Sequence, residues 1–291
     1  MNRSWFLAAG LAATLAPRMA CADQLDEALG RSISRIPGTV GVYARTMAPG
    51  PPLFAYNEHE SFPAASTIKM LIMLTAFRTE EAHPGALHDE VFIRRSDLVG
   101  GSPFLASARG GERYTVARLI PAMIQLSDNS ASNALISHFG FDAINASATR
   151  AGLLHTHLKR HFLDYSAIVH HMENVTTAAD MGTLLYGLER GSRESLRTVA
   201  SAQSCRKMIE IMLGQTDRNK IPAGVPRSVP IANKTGEIDG VRNDVAIVDP
   251  FGDSPFVLTV YTKHLSNYSD AIRGIKNISR AVYARIANSD A

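Results

Sequence analysis

Three short strings hold the residues of this chain that are best suited to chemistry. They are Ser66-Thr67-Ile68-Lys69, Ser127-Asp128-Asn129 and Lys234-Thr235-Gly236. Any one of them arises by chance in many proteins, but the three together, in this order, are far harder to obtain by accident. They describe a serine nucleophile that lysines, in place of a histidine, would activate.

The first string lies where an apolar helix is predicted, over residues 63–77. Position i+3 of a helix lies one turn on and on the same side, so Lys69 can reach Ser66 Oγ. The start of a helix favours the negative charge that an attacking serine develops, and burial should lower the pKa of Lys69. The alternative, a capping serine and a surface lysine, does not explain a lysine on a helix that is otherwise almost wholly apolar.

The other two strings are weaker when taken alone. Asp128 is predicted to be structural, because Asp and Asn form caps and turns, whereas Ser127 and Asn129 would face a cleft. The third string follows a strand-like segment, and its Gly236 would let another backbone or a substrate approach closely. A sheet-edge lysine near a turn is the structural alternative for Lys234.

Strand-like segments lie at both ends of the chain and helical segments lie between them. Strands are predicted at 39–45, 53–56, 231–235, 244–248 and 256–261, and helices at 24–35, 63–77, 114–125, 130–139, 178–190, 192–213 and 268–286. The predicted fold class is α/β (α+β): an antiparallel sheet flanked by the terminal helices, with an inserted all-helical domain. The sheet domain would comprise residues 23–61 and 216–291, and the helical domain residues 62–215.

Residues 1–22 have the pattern of a signal peptide. Arg3 precedes an apolar run that is too short to span a membrane, and Ala20-Cys21-Ala22 offers small residues for cleavage. We prefer cleavage near Ala22 to a lipid anchor on Cys21, so a periplasmic or secreted monomer with no stable membrane span is expected. The formal net charge of +3 over 291 residues does not suggest a nucleic-acid partner.

The three strings together resemble those of the penicillin-recognising serine enzymes, and of class A β-lactamases in particular. Residues 125–134 resemble the segment around the second motif of that family, and residues 174–181 resemble the point where its Ω-loop rejoins a helix. The resemblance covers essentially the whole chain after the signal peptide. It implies a β-lactamase-like fold whose helical domain carries an Ω-like loop.

The resemblance also implies a role for each matching residue. Ser66 would be acylated by the lactam carbonyl, Lys69 would take its proton, and Ser127 would protonate the departing nitrogen. The backbone N–H groups of Ser66 and Glu237 would form the oxyanion hole. The residues implied to bind a small β-lactam or peptidoglycan-like substrate are Asn129, Lys234, Thr235, Gly236 and Arg242. For Arg242, an exposed strand arginine is the alternative.

The Ω-like loop departs from the family pattern. The family has a glutamate there, which activates the water that hydrolyses the acyl-enzyme. Matching Arg160 to the arginine before that glutamate leaves Phe162 in its place. Asp164 and His161 are the two candidate replacements, because a carboxylate or a neutral imidazole can act as a base. Acylation is therefore expected to be intact and deacylation to be slow.

Two other functions use the same residues. A DD-peptidase or esterase on this fold would also form a serine acyl-enzyme, and a β-lactam-binding protein would acylate once and stop. No organic cofactor is expected. Five histidines lie between His155 and His171, but no acidic or cysteine ligand accompanies them at metal-binding spacing, so no metal is expected.

Overall fold

A five-stranded antiparallel sheet forms the centre of the fold in the computed structural model, which describes residues 25–193 and 199–288. Its strands, in spatial order, are β2 (Phe54–Tyr56), β1 (Thr39–Thr46), β9 (Phe256–Lys263), β8 (Val241–Val248) and β7 (Ile231–Ile238). The first and last parts of the described chain therefore meet in one sheet, as predicted. The predicted signal peptide lies outside the described residues.

Helices cover both faces of this sheet. On one face, α1 (25–33) and α9 (Tyr268–Ala287) bury apolar side chains against it. On the other face lie α2 (Lys69–Ala82), α7 (Ala178–Arg193) and α8 (Ala202–Leu213). Because neighbouring side chains of a strand point to opposite faces, β1 contributes to both cores, with Val42 in the first and Tyr43 in the second.

The remaining helices lie between β1 and β7 in sequence. They are α3 (Val116–Gln125), α4 (Asn129–Phe139), α5 (Phe141–Arg150) and the short α6 (Tyr165–Val169). Helix α2 is buried on every side from Lys69 to Phe77, as its uniformly apolar sequence indicated. The predicted boundaries between the sheet domain and the helical domain stay a prediction.

Two small sheets and the helices α5 and α6 were not predicted. The two sheets are formed by β3 (Phe62–Pro63) with β6 (Val175–Thr176), and by β4 (Glu90–Phe92) with β5 (Arg113–Thr115). Strands of two or three residues are too short to show a two-residue period. The β3–β6 pair matters for function because it ties the end of the Ω-like loop to the segment that leads to Ser66.

Two predicted helices were wrong in extent. The helix predicted over 192–213 is interrupted: residues 199–201 are not helical, and α8 begins after Ser201, whose hydroxyl caps it by accepting a hydrogen bond from the N–H of Ser204. The helix predicted from residue 63 begins later, because Ala65 has a φ of +47°, which a right-handed helix does not allow.

In the described part of the chain, no helix combines the length and apolarity needed to cross a membrane.

Candidate active site

Ser66 lies on a single 3₁₀ turn, Ala65–Ile68, that leads directly into α2. Thr67 fixes this turn to the sheet, because its Oγ1 lies 2.7 Å from the hydroxyl of Tyr261 on β9. Asn243 of β8 adds a second anchor by donating to the carbonyl of Pro63 over 2.9 Å. Ser66 itself is half-buried and caps no helix, so the alternative of a capping serine does not hold.

The edge strand β7 passes very close to this turn, and Gly236 is the residue that allows it. A Cβ atom at position 236 would lie 2.9 Å from the carbonyl oxygen of Ala64 and 3.1 Å from Cγ2 of Thr67. Any side chain there would force the strand and the turn apart. The glycine therefore brings Lys234 and Thr235 to the same cleft as Ser66.

Ser127 and Asn129 lie at the junction of α3 and α4, and Asp128 holds that junction in place. Asp128 is fully buried and caps α4, with Oδ1 accepting from the N–H of Ala131 over 2.7 Å. Its Oδ2 accepts from the N–H of Phe104 over 2.8 Å. Asp128 is therefore structural, as predicted.

The amino groups of two buried lysines converge on the hydroxyl of Ser127. Lys69 Nζ and Lys234 Nζ each lie 3.1 Å from Ser127 Oγ. Lys69 Nζ also donates to the carbonyl of Ser127 over 2.7 Å and to Oδ1 of Asn129 over 2.8 Å. The first two strings are therefore joined through Lys69 Nζ. Among the described residues, no hydrogen bond joins Ser66 to Lys69.

Burial lowers the pKa of both lysines. Desolvation, aided by the positive charge of Lys234 and opposed by Asp128, holds the pKa of Lys69 well below its ordinary value. Desolvation also lowers the pKa of Lys234, to about 7, although Asp244 and Asp217 partly oppose the shift. A neutral Lys69 amine can donate to the two carbonyl oxygens and direct its lone pair toward Ser127 Oγ. This arrangement suits a group that accepts and returns protons.

Five of the predicted site residues line one cleft with two arms. The larger arm, of about 610 Å³, is lined by Ser66, Asn129 and Glu237 together with the Ω-like loop. The smaller arm, of about 350 Å³, is lined by the same three residues and by Ser127 and Thr235. Ser66 thus lies where the two arms join.

Phe162 forms part of the loop wall of this cleft, next to Lys69. Its backbone is held by Asn133 of α4, which accepts from the N–H of Phe162 over 2.8 Å and donates to its carbonyl over 3.2 Å. Lys69 Nζ lies 4.4 Å from the centre of the Phe162 ring. The apolar ring therefore lies beside Lys69.

Asp164 and His161 lie in a neighbouring cavity of about 310 Å³. Phe162 and Leu163 line both cavities and separate them. The carboxylate of Asp164 caps α6 by accepting from the N–H of Ala167 over 3.0 Å, and His161 Nε2 lies 3.4 Å from Ser137 Oγ. The structure does not bring either candidate base into the cleft with Ser66.

The two ends of the Ω-like loop are clamped together. Arg160 forms a 2.7 Å ion pair with Glu173. Asn174 Oδ1 accepts from the N–H groups of Lys159 and Arg160, over 2.7 and 3.0 Å. Glu173 lines the cleft, but its Oε1 is also committed to the N–H of Asn174 over 2.8 Å. This clamp keeps the loop wall next to Ser66.

Lys220 is a charged residue of the site that the sequence analysis missed. It is fully buried, with Nζ 2.9 Å from Asp217 Oδ2 and 2.6 Å from Glu237 Oε1. Burial alone would lower its pKa, but the hydrogen bond to Asp217 and the charge of Asp244 raise the pKa above the ordinary value. No motif marked it, because its partners come from a non-helical segment and a separate strand.

Arg242 is present at the predicted place, but other groups engage its guanidinium. Nη1 donates to the carbonyls of Ile238 and Val241 over 2.9 and 2.7 Å, and the guanidinium carbon lies 3.8 Å from the centre of the Tyr268 ring. Its Nε lies 3.8 Å from Glu237 Oε2. Arg242, a residue of β8, is thus held against the turn that joins β7 to β8, and its side chain is only slightly exposed.

Within residues 25–193 and 199–288, no group of three or more His, Cys, Asp or Glu side chains is arranged to hold a metal ion. The loop histidines from His155 to His171 lie in this range.

The fold and the three converging strings define a serine hydrolase of the class A β-lactamase type. A family model described as the β-lactamase enzyme family matches residues 23–286. The chain belongs to this family, and it is a β-lactamase-like serine hydrolase, as the sequence predicted.

Individual relatives agree with this assignment. The chain is 30% identical to β-lactamase CTX-M-97 of Escherichia coli over 223 residues, which cover 76% of this chain and 75% of the relative. A crystal structure of a β-lactamase from Sphaerobacter thermophilus is similar with a TM-score of 0.78 and 29% identity, covering 91% of this chain and 97% of that one. A Leu-to-Glu variant of PBP-A, an acyl-enzyme complex with penicillin-G, is similar with a TM-score of 0.81 and 26% identity, covering 92% and 97%.

Proposed function

We propose that the protein opens β-lactams through an acyl-enzyme on Ser66 and releases the product slowly. The observation that carries the proposal is the convergence of Lys69 and Lys234 on Ser127 Oγ, each at 3.1 Å, in the cleft that Ser66 lines. The likeness to PBP-A, whose variant is an acyl-enzyme complex with penicillin-G, supports the same chemistry.

In the proposed acylation, the neutral amine of Lys69 accepts the proton of Ser66, and Ser66 Oγ bonds to the lactam carbonyl carbon. The N–H groups of Ser66 and Glu237 stabilise the oxyanion. The C–N bond then breaks while Ser127 gives its proton to the lactam nitrogen. Ser127 recovers a proton from the Lys69 ammonium, which restores both groups.

Deacylation is proposed to be slow because Glu173, the carboxylate of the loop wall, is paired with Arg160 and the N–H of Asn174, and the position beside Lys69 carries no base. Attack by water on the ester needs a group that takes a proton from that water. Beside Lys69 lies the ring of Phe162, which cannot accept one, and Asp164 and His161 lie in the neighbouring cavity. A general base typically contributes about 10²- to 10⁴-fold, so its absence would leave a long-lived ester.

A second candidate is a DD-peptidase or esterase that uses the same acyl-enzyme. It would form the ester on Ser66 from a D-Ala-D-Ala peptide or a simple ester in place of a lactam. The cleft, of about 610 Å³ in its larger arm, has room for a peptide side chain.

The experiment is a time course of intact-mass spectrometry on the mature protein with a penicillin, run beside hydrolysis assays. We expect an adduct of one penicillin mass within minutes that decays over hours. Faster turnover of a D-Ala-D-Ala peptide or a simple ester than of the lactam would favour the second candidate. An adduct that never decays would identify a β-lactam-binding protein, and no adduct at all would refute the proposal.

We propose further that the protein acts outside the cytoplasm after cleavage near Ala22. The supporting observation is the pattern of Arg3, the apolar run and the small residues before Asp23. N-terminal sequencing of protein recovered from a periplasmic or culture-medium fraction should begin at Asp23. A fraction that retains Met1 in the cytoplasm would contradict the proposal.

A further inference from the structure

A carboxylate of the protein itself occupies the end of the cleft where a substrate carboxylate is expected. Glu237 Oε1 lies 2.6 Å from Lys220 Nζ, and Oε2 lies 3.8 Å from Arg242 Nε. Glu237 lines both arms of the cleft, and 41% of its side chain is exposed, whereas Lys220 is fully buried. The side chain of Glu237 thus covers the ammonium of Lys220.

The strand geometry explains this position. Side chains two residues apart on a strand share a face, so Glu237 continues the face of Thr235 along β7. The sheet register also places Glu237 directly opposite Arg242 on β8. The side chain of Glu237 therefore lies in the region, between Thr235 and Arg242, where the resemblance to the family places the substrate carboxylate.

The ammonium of Lys220 has no capacity left for a further acceptor while Glu237 is in place. It has three N–H donors, and three acceptors surround it: Asp217 Oδ2 at 2.9 Å, Asn219 Oδ1 at 3.0 Å and Glu237 Oε1 at 2.6 Å. Asp217 is additionally held by the hydroxyl of Thr235 and by the N–H of Asn219. Glu237 is the more exposed of the two acidic partners, so it is the one that can move aside.

We propose that Glu237 is a built-in competitor of the substrate carboxylate and lowers the affinity of the cleft for anionic substrates. Its side chain covers Lys220 in the free enzyme and swings toward solvent when a substrate carboxylate binds. A substrate whose carboxylate is masked as an ester needs no such displacement. This inference rests on the proposed function in so far as the same cleft binds the substrate.

The test compares Glu237→Gln with the wild type for a penicillin and for its methyl ester. Gln keeps the size of the side chain and the backbone N–H but removes the charge. Asp239→Asn is the matched control, because it removes the same charge from the same cleft, yet its carboxylate accepts from the hydroxyl of Tyr268 and does not contact Lys220. The readout is the second-order rate constant of acylation, from intact mass.

We expect Glu237→Gln to raise the rate constant for the penicillin relative to that for the methyl ester by about fivefold or more, the equivalent of one partly exposed ion pair. Glu237→Ala, which uncovers Lys220, should act in the same direction. An equal gain for the methyl ester, an equal gain in Asp239→Asn, or no gain for the penicillin would each overturn the inference.

A binding measurement separates this inference from the proposed function. Calorimetry of the penicillin on the Ser66→Ala variant, with and without Glu237→Gln, requires no acylation. Tighter binding after Glu237→Gln supports the inference even if the wild type forms no adduct, in which case the proposed function alone fails. Unchanged binding, or none in either variant, overturns the inference even if the wild type forms its adduct.

Discussion

The two walls of the cleft differ in chemistry although one helix, α4, supports both. At its start, Asp128 positions Ser127 and Asn129, where the lysine amino groups converge. One turn later, Asn133 holds the backbone of Phe162, which presents an apolar ring. The first wall brings Ser127, Asn129 and the two lysine amino groups together, whereas the second wall has an apolar ring where the family has a base. One helix therefore holds both a polar wall and an apolar wall, and variants of each wall test whether acylation depends on the first and deacylation on the second.

The largest effect is expected at the centre of the first wall. Ser66→Ala should abolish covalent labelling by a penicillin, a loss of more than about 10³-fold, because Ser66 Oγ is the atom proposed to bond to the lactam carbonyl carbon. Intact-mass spectrometry measures the adduct, and circular dichroism checks that the variant is folded. An adduct of full yield on the variant would show that the polar wall is not where acylation occurs.

The second-largest effect is expected when a base is introduced into the second wall. Phe162→Glu places a carboxylate beside Lys69 and should speed decay of the acyl-enzyme by about 10²-fold, within the range of general-base catalysis. The measurement is loss of the adduct with time after excess penicillin is removed. Phe162→Gln is the control, because it opens the same space without a base. Equal acceleration in both variants would mean that access of water, and not proton transfer, limits the wild type.

The pH dependence of acylation tests the lysine pair of the first wall. Burial lowers the pKa of Lys234 to about 7. Lys234 is therefore mostly an ammonium, which donates to Ser127 Oγ, below that pH, and mostly a neutral amine above it. The acylation rate constant should therefore fall above about pH 7, by up to about tenfold per unit. Lys234→Arg, whose guanidinium stays charged, should remove this decline. A decline that persists in the variant would assign it to another group.

The smallest effect is expected in the neighbouring cavity, which holds Asp164 and His161. Asp164→Asn and His161→Ala should change the deacylation rate by no more than about twofold, because Phe162 and Leu163 separate both residues from the cleft. The decay of the acyl-enzyme measures this as well. A tenfold slowing in either variant would show that the loop opens during turnover and joins the two cavities.

Much of the fold followed from local patterns. The apolar run after Ser66 predicted a helix buried on all sides, and β1, β7, β8 and β9 lie where alternating or β-branched segments indicated strands. The break at Ser201 and the two-residue strands β3 and β6 were missed. Ser201 was a usable signal, because serine is a preferred N-cap residue and marks the start of a helix. Strands of two residues carry no period, so β3 and β6 leave no such signal.

The sequence by itself predicted the nucleophile and its lysine partners and showed a phenylalanine at the position where the family has a glutamate, because each of these is a matter of residue type and spacing. Only the tertiary structure decided which groups touch. It placed Phe162 against Lys69, moved Asp164 and His161 into another cavity, and buried Lys220 beneath Glu237. Such contacts join residues far apart in the chain, and their distances and desolvation arise only when the chain is packed.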